Sequence, residues 1–118
     1  MIIGLKYQPG STDARSLNAQ TSGTGAEVVL NECRQIAPTI TGVGTVTGGV
    51  VVLESSNVSG YAGTWAEQDR IDFSVTPLTD SKYQISLPGG YGPFYRHRIV
   101  SSITGGGNVS SEINGIEG

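Results

Sequence analysis

The chain has 118 residues, which fits one domain, and a formal net charge of −3, which disfavours general nucleic-acid binding. Its single cysteine excludes an intrachain disulfide framework and a zinc site built from four thiolates. The 18 glycines, together with frequent valine, serine and threonine, exclude a helical bundle and favour strands joined by tight turns.

Short segments of alternating apolar and polar residues predict the first strands. Residues 2–7 form a first strand or arm, and residues 15–25 a loop or weak edge strand. Further strands are predicted at residues 27–30 and 36–41. Because proline cannot donate to a ladder, Pro38 places the second of these at an edge or next to a bulge.

The later segments alternate more regularly. The most apolar strand, residues 50–54, is predicted at the centre of the core, followed by strands at residues 71–76, 83–87, 95–103 and 109–113. Such spacing predicts about eight short strands in a single antiparallel β-sandwich, of jelly-roll or immunoglobulin-like type, and hence an all-β protein.

The period of two also predicts which residues are buried and how the chain divides. Residues 1–14 are assigned to an N-terminal arm or edge strand, and residues 15–118 to the β-sandwich domain. Val51 and Leu53 point to the face opposite Val50 and Val52 and form the alternative buried pair. The residues predicted to be buried are Val50, Val52, Ile71, Phe73, Val75, Ile85, Leu87, Ile99 and Ile103.

Few groups in the sequence are suited to catalysis. Cys33 and His97 are the one thiol–imidazole pair, and a cysteine nucleophile also needs an orienting third group that the sequence does not indicate. Glu67 and Asp69 could share a strand face, yet their spacing matches no calcium-binding loop. We therefore expect a non-enzymatic protein with no catalytic residue, metal or cofactor.

Loop aromatic residues and one cationic pair are candidates for contacts with other molecules. Arg96 and Arg98 lie on the same face of a strand, which suits an ion pair with a partner or with a neighbouring strand. Aromatic residues next to loops suit a binding surface, or alternatively cap the sandwich core. The candidate interface residues are Ile2, Ile3, Leu5, Tyr7, Tyr61, Trp65, Tyr91, Phe94, Arg96 and Arg98.

The N-terminal segment is the part of this candidate interface that is largely apolar. Within residues 1–7 only Lys6 is charged, and the Pro-Gly-Ser-Thr-Asp of residues 9–13 is a natural hinge. We expect this segment to contact a second copy of the chain or another protein; pairing within its own sheet is the alternative. Deleting residues 1–7 is then expected to weaken assembly and leave the monomer folded.

Two stretches carry a resemblance to known proteins. Residues 50–57 read Val-Val-Val-Leu-Glu-Ser-Ser-Asn and are followed by a glycine-containing loop and Thr64–Trp65. Residues 95–99 read Tyr-Arg-His-Arg-Ile and precede a triple-glycine turn and a short final strand. This pattern resembles the small β-sandwich virion proteins of tailed bacteriophages, namely capsid decoration (cement) proteins and related tail and fibre domains.

The resemblance implies a structural role without catalytic residues. Such a protein is made in the bacterial host cytoplasm, lies on the capsid exterior of the virion, and stabilises the lattice of the major capsid protein. It self-associates, as a trimer, and binds neither nucleic acid nor a membrane. The alternative is a carbohydrate- or receptor-binding β-sandwich of a phage tail or fibre, in which Trp65 and Tyr61 stack on sugar rings.

Overall fold

The computed structural model describes residues 4–90 and 92–117, so Ile2, Ile3 and Tyr91 of the candidate interface lie outside the described residues. The predicted fold class is confirmed, because the described chain is all-β, without helices, and its antiparallel sheets pack together as in a β-sandwich. The described residues form twelve strands rather than about eight, since several turns contain extra strands of two or three residues.

Two five-stranded sheets form the layers of the sandwich. Sheet A contains, in spatial order, β1 (Gly4–Leu5), β12 (Asn108–Glu117), β4 (Cys33–Val43) and β10 (Leu87–Pro88), and β9 (Lys82–Gln84) also pairs with β4. Sheet B contains β2 (Gly23–Thr24), β11 (Phe94–Thr104), β6 (Gly48–Ser56) and β7 (Ala66–Asp72), and β3 (Val28–Val29) also pairs with β11. A separate two-stranded sheet joins β5 (Thr45–Val46) and β8 (Leu78–Thr79).

Two apolar clusters form the core between the sheets. The large cluster consists of Leu17, Ile40, Val46, Val51, Ile71, Phe73, Leu78, Ile99, Ile103 and Val109. The small cluster consists of Val28, Leu30, Cys33, Ile36, Leu53, Tyr95 and Ile113. Each cluster draws on both sheets, because alternate residues of the long strands point inward.

The predicted core is largely present. Five of the predicted residues are buried: Val52, Ile71, Phe73, Ile99 and Ile103. Val50, Ile85 and Leu87 are half-buried. Both faces of β6 are covered, so Val51 and Leu53 are buried together with Val52.

The prediction for Val75 is wrong, since its side chain is 78% exposed. The strand expected at residues 71–76 instead runs from Ala66 to Asp72. A turn follows, in which the Val75 and Thr76 N–H groups donate to the Asp72 carbonyl at 3.1 and 3.0 Å. Val75 is therefore carried out of the sheet into solvent.

Pro38 is accommodated differently from the prediction, because β4 is an interior strand. On one side Pro38 is paired with Ile113 of β12. On the other side, β9 pairs with residues 39–41 of β4 and β10 with residues 35–36, so that Pro38 lies at the break between these two short strands. A residue without an N–H group fits such a break.

Residues 14–26 close one open side of the sandwich and connect the two sheets. Ser16 donates its N–H to the Ser111 carbonyl of sheet A at 2.9 Å. Its hydroxyl accepts the His97 N–H of sheet B at 2.8 Å and donates to the Ala26 carbonyl at 2.8 Å. Tyr83 connects the opposite side, where its hydroxyl donates to the Asp69 carboxylate at 3.1 Å.

Candidate functional site

Candidate residues from distant parts of the chain meet at one end of the sandwich. Leu5 is paired with Ile116 near the end of β12, so the described residues of β1 occupy an edge-strand position. The Tyr7 hydroxyl donates to the Val29 carbonyl at 2.6 Å, and Val29 is paired with Phe94 at the start of β11. We call this part of the molecule the aromatic end; it comprises Tyr7, Val29, Phe94 and the loop of residues 57–65 with Arg96 packed on its Trp65.

Tyr7 is built into the folded chain. Its N–H donates to the Asn114 side-chain carbonyl at 3.1 Å, and the Asn114 amide donates back to the Tyr7 carbonyl at 2.8 Å. Its ring packs against the small cluster, and burial raises the pKa of its hydroxyl. Leu5, in contrast, is 47% exposed and lines a groove on the outer face of sheet A.

The loop between β6 and β7 folds over the aromatic end and buries its tryptophan. Trp65 is 5% exposed, and its indole N–H donates to the Tyr61 carbonyl at 2.8 Å. The Glu27 carboxylate holds the loop by accepting hydrogen bonds from the Ser59 hydroxyl and the Gly60 N–H. Hydrogen bonds to Glu27 and Trp65 therefore fix the conformation of the loop between β6 and β7.

This loop exposes a small apolar surface. Val58 is 55% and Tyr61 43% exposed, and both line a pocket of about 350 Å³ together with Thr64 and Ala66. Exposed apolar side chains around a shallow pocket are suited to contact with another protein.

A buried carboxylate on the outer face of sheet B binds both candidate arginines. Glu54 is 2% exposed and accepts the Arg96 Nε–H at 2.7 Å and the Arg98 Nε–H at 3.1 Å. The pairing of β6 with β11 produces this contact, since Arg96 lies directly opposite Glu54 and Arg98 opposite Val52. The Trp65 ring lies 3.9 Å from the Arg96 guanidinium carbon, so Arg96 is stacked on the ring.

Sequence reasoning did not single out Glu54. The ion pair that it expected with a neighbouring strand is present, but its carboxylate partner was missed. The available signal was a charged residue at the end of the most apolar run in the chain, residues 50–54. A carboxylate in such a run needs a cation nearby if both faces of the strand are buried.

Glu67 and Asp69 are separated by a bulge between β6 and β7. Glu67 is paired with Arg70 at 2.8 Å, and this hydrogen bond is the main reason that the pKa of the Glu67 carboxyl is lowered. Asp69 is instead bonded to Tyr83. In the part of the chain that the structure describes, no group of three or more histidine, cysteine or acidic residues could hold a metal ion.

Cys33 and His97 have different partners and are both buried. The Cys33 thiol donates weakly to the Asn31 carbonyl at 3.7 Å, and burial raises its pKa. His97 Nδ1 lies 2.8 Å from the Ser111 hydroxyl, and burial lowers the pKa of its ring to about 3. Both shifts oppose the activation of a thiolate by an imidazole base.

A groove of about 580 Å³ crosses the outer face of sheet A, and sequence reasoning did not predict it. Its floor contains short side chains of β4, including Thr39 and Thr41. Lys82, Gln84 and Glu112 also line it. The charges in this groove are of both signs, so they favour no particular ligand charge.

No protein-family model, curated protein or solved structure significantly matches this chain. None of the described residues belongs to a helix long and apolar enough to span a membrane. Any functional hypothesis therefore rests on the resemblance of the sequence and on the geometry of the aromatic end.

Proposed function

We propose that this protein is a non-enzymatic bacteriophage capsid decoration protein that binds the outer shell and stabilises the lattice of the major capsid protein. We further propose that it self-associates as a trimer. The observation that carries the proposal is the convergence, at the aromatic end, of candidate contact residues that lie far apart in sequence.

The composition of the aromatic end supports a protein partner. It exposes Val58 and Tyr61 and places Arg96 on the buried Trp65, while Leu5 is exposed on the edge strand β1. Aromatic residues and arginine are enriched in protein interfaces. A protein that binds only the assembled shell would stabilise that state by linkage, without any chemical step.

The buried tryptophan favours this proposal over the carbohydrate-binding alternative. Stacking on a sugar needs an exposed ring face, whereas Trp65 is 5% exposed and its ring is stacked with Arg96. Tyr61, at 43% exposed, is then the one ring of the proposed pair that a sugar could reach.

The surroundings of Cys33 and His97 support a non-enzymatic role. Burial raises the pKa of the thiol and lowers that of the imidazole, and each group is bonded to a different partner. Neither group is poised to transfer a proton near neutral pH.

The test is to purify the virus particles that contain this chain, separate capsids from tails, and count its copies in each fraction by quantitative mass spectrometry. A decoration protein is expected in the capsid fraction at a copy number comparable with that of the major capsid protein. The purified chain should also rebind shells from which it has been stripped. Absence from capsids, or a few copies confined to tails, would overturn the proposal.

A further inference from the structure

We propose that Arg96 and Arg98 form a binding site for a carboxylate of the partner protein, an aspartate or glutamate side chain. The identity of that partner as a capsid subunit rests on the proposed function. The carboxylate site itself rests on the geometry of the outer face of sheet B.

The first observation is that each guanidinium group is only partly used. The Glu54 carboxylate accepts one Nε–H from Arg96 and one from Arg98. Within residues 4–90 and 92–117, the two terminal nitrogens of each arginine have no hydrogen-bond partner. None of these nitrogens is a buried unsatisfied atom, so they reach solvent.

The second observation is the charge balance. One buried carboxylate faces two guanidinium groups, and the neighbouring Glu67–Arg70 pair is neutral. Counted over Glu54, Glu67, Arg70, Arg96 and Arg98, the site has one excess positive charge, although the whole chain carries −3. The next acidic residue on this face, Asp72, lies opposite Val50 and is bonded to Ser74. This local excess is matched by one additional carboxylate.

The third observation is that the two arginines are held in place before any partner arrives. Arg96 is fixed between the Trp65 ring and the Glu54 carboxylate, with a side chain only 21% exposed. Arg98 is anchored by the same carboxylate and is 41% exposed. The Trp65 ring covers one side of the Arg96 guanidinium at 3.9 Å, so a ligand meets the two terminal nitrogens, which match the two oxygens of a carboxylate.

The spacing suits a single small anion. Residues two apart on a strand are separated by about 6.6 Å along the backbone, and both guanidinium groups are bonded to Glu54, so their terminal nitrogens can reach one further carboxylate on the solvent side of Glu54. Folding already restricts both arginine side chains, so binding a carboxylate costs little additional side-chain entropy. A nucleic-acid backbone would need a longer row of cations than this face provides.

The site can be tested on the purified chain by NMR, through the Nε–Hε signals of Arg96 and Arg98. The probes are a blocked Gly-Glu-Glu-Gly peptide, its Gly-Gln-Gln-Gly counterpart and a short oligothymidylate, each titrated at low ionic strength. The glutamate peptide is expected to shift both signals saturably, and the glutamine peptide is not.

Variants separate a specific site from general charge attraction. Arg98→Gln is expected to weaken binding of the glutamate peptide roughly fivefold, as for loss of a pair worth about 1 kcal/mol. Arg98→Lys, which keeps the charge but lacks the planar fork, should fall between the wild type and Arg98→Gln. The matched control is Arg34→Gln, since Arg34 is an exposed cation on β4 of the other sheet and should leave binding unchanged.

Three results would overturn the carboxylate site: no saturable shift with the glutamate peptide, equal effects of Arg98→Gln and Arg34→Gln, or tighter binding of oligothymidylate at the same arginines. Rebinding of the wild-type chain to stripped shells is measured in parallel. If the shells do not bind the chain while the peptide does, the decoration proposal fails and the carboxylate site stands.

Discussion

His97 Nδ1 and the Ser111 hydroxyl lie 2.8 Å apart in the middle of the sandwich, and they form a polar layer between its two apolar clusters. On β11, His97 follows Tyr95 of the small cluster and precedes Ile99 of the large cluster. Ser111 holds the corresponding position on β12. Ser16 completes the layer through its bonds to both strands.

This polar layer predicts that the protein loses stability in acid. Burial lowers the pKa of His97 from 6.5 to about 3, so the unfolded chain takes up a proton near pH 6.5 that the folded protein does not. The contribution of His97 to the free energy of unfolding is thus fully present above pH 6.5 and decreases as the pH falls toward 3. At about 1.4 kcal/mol per pH unit, the loss between pH 7 and pH 5 is about 2 kcal/mol.

Urea unfolding at these two pH values measures the effect. His97→Gln, which does not titrate, should show a correspondingly smaller difference between them. An equal pH dependence in the wild type and the variant would contradict the assignment to His97.

Ser16→Ala is expected to destabilise the protein by about 1–3 kcal/mol, because it leaves the buried His97 N–H without its acceptor. The free energy of unfolding from urea denaturation is the measurement. Ser22→Ala is the matched control, since Ser22 is exposed, and it should have little effect. Equal free energies of unfolding for the two variants would show that the Ser16 hydroxyl contributes nothing to stability.

Glu54→Gln is expected to lower the free energy of unfolding by about 2 kcal/mol, because it removes the buried counter-charge of two partly exposed arginines. Glu67→Gln removes the same charge from an exposed pair on the same sheet face and should leave stability almost unchanged. Chemical denaturation of both variants distinguishes the two environments. A larger loss for Glu67→Gln would be incompatible with the contacts described above.

Leu5→Ser is expected to weaken binding to stripped shells while leaving the fold intact, because Leu5 is 47% exposed on the edge strand β1. Val75→Ser is the matched control, since Val75 is 78% exposed on the turn after β7, at the opposite end of the sandwich. Cosedimentation with shells gives the affinity, and circular dichroism checks the fold. If both variants bind like the wild type, the chain does not contact the shell through Leu5.

These point substitutions are better tests than deletion of residues 1–7. That deletion would also remove Tyr7, whose ring packs on the small cluster and whose backbone is bonded to Asn114. Loss of binding after the deletion could therefore result from a damaged fold.

Local pattern was sufficient to predict the all-β class and the buried faces of several strands. Ile71, Phe73, Ile99 and Ile103 are buried as expected, because the period of two along a strand depends only on neighbouring residues. Val75 continues the same alternation but is exposed, since the Asp72 carbonyl and carboxylate accept hydrogen bonds that turn the chain out of the sheet.

The candidate site shows the same division between local pattern and tertiary structure. The sequence by itself determined that Arg96 and Arg98 share one face of a strand. Only the tertiary structure decided that this face receives Glu54, 42 residues earlier in the chain, and that Trp65 is buried against Arg96. The physical reason is that the alternation of side chains along a strand determines which face each one occupies. Which residue it meets there depends on strand order and register, and these are set by burial across the whole sandwich.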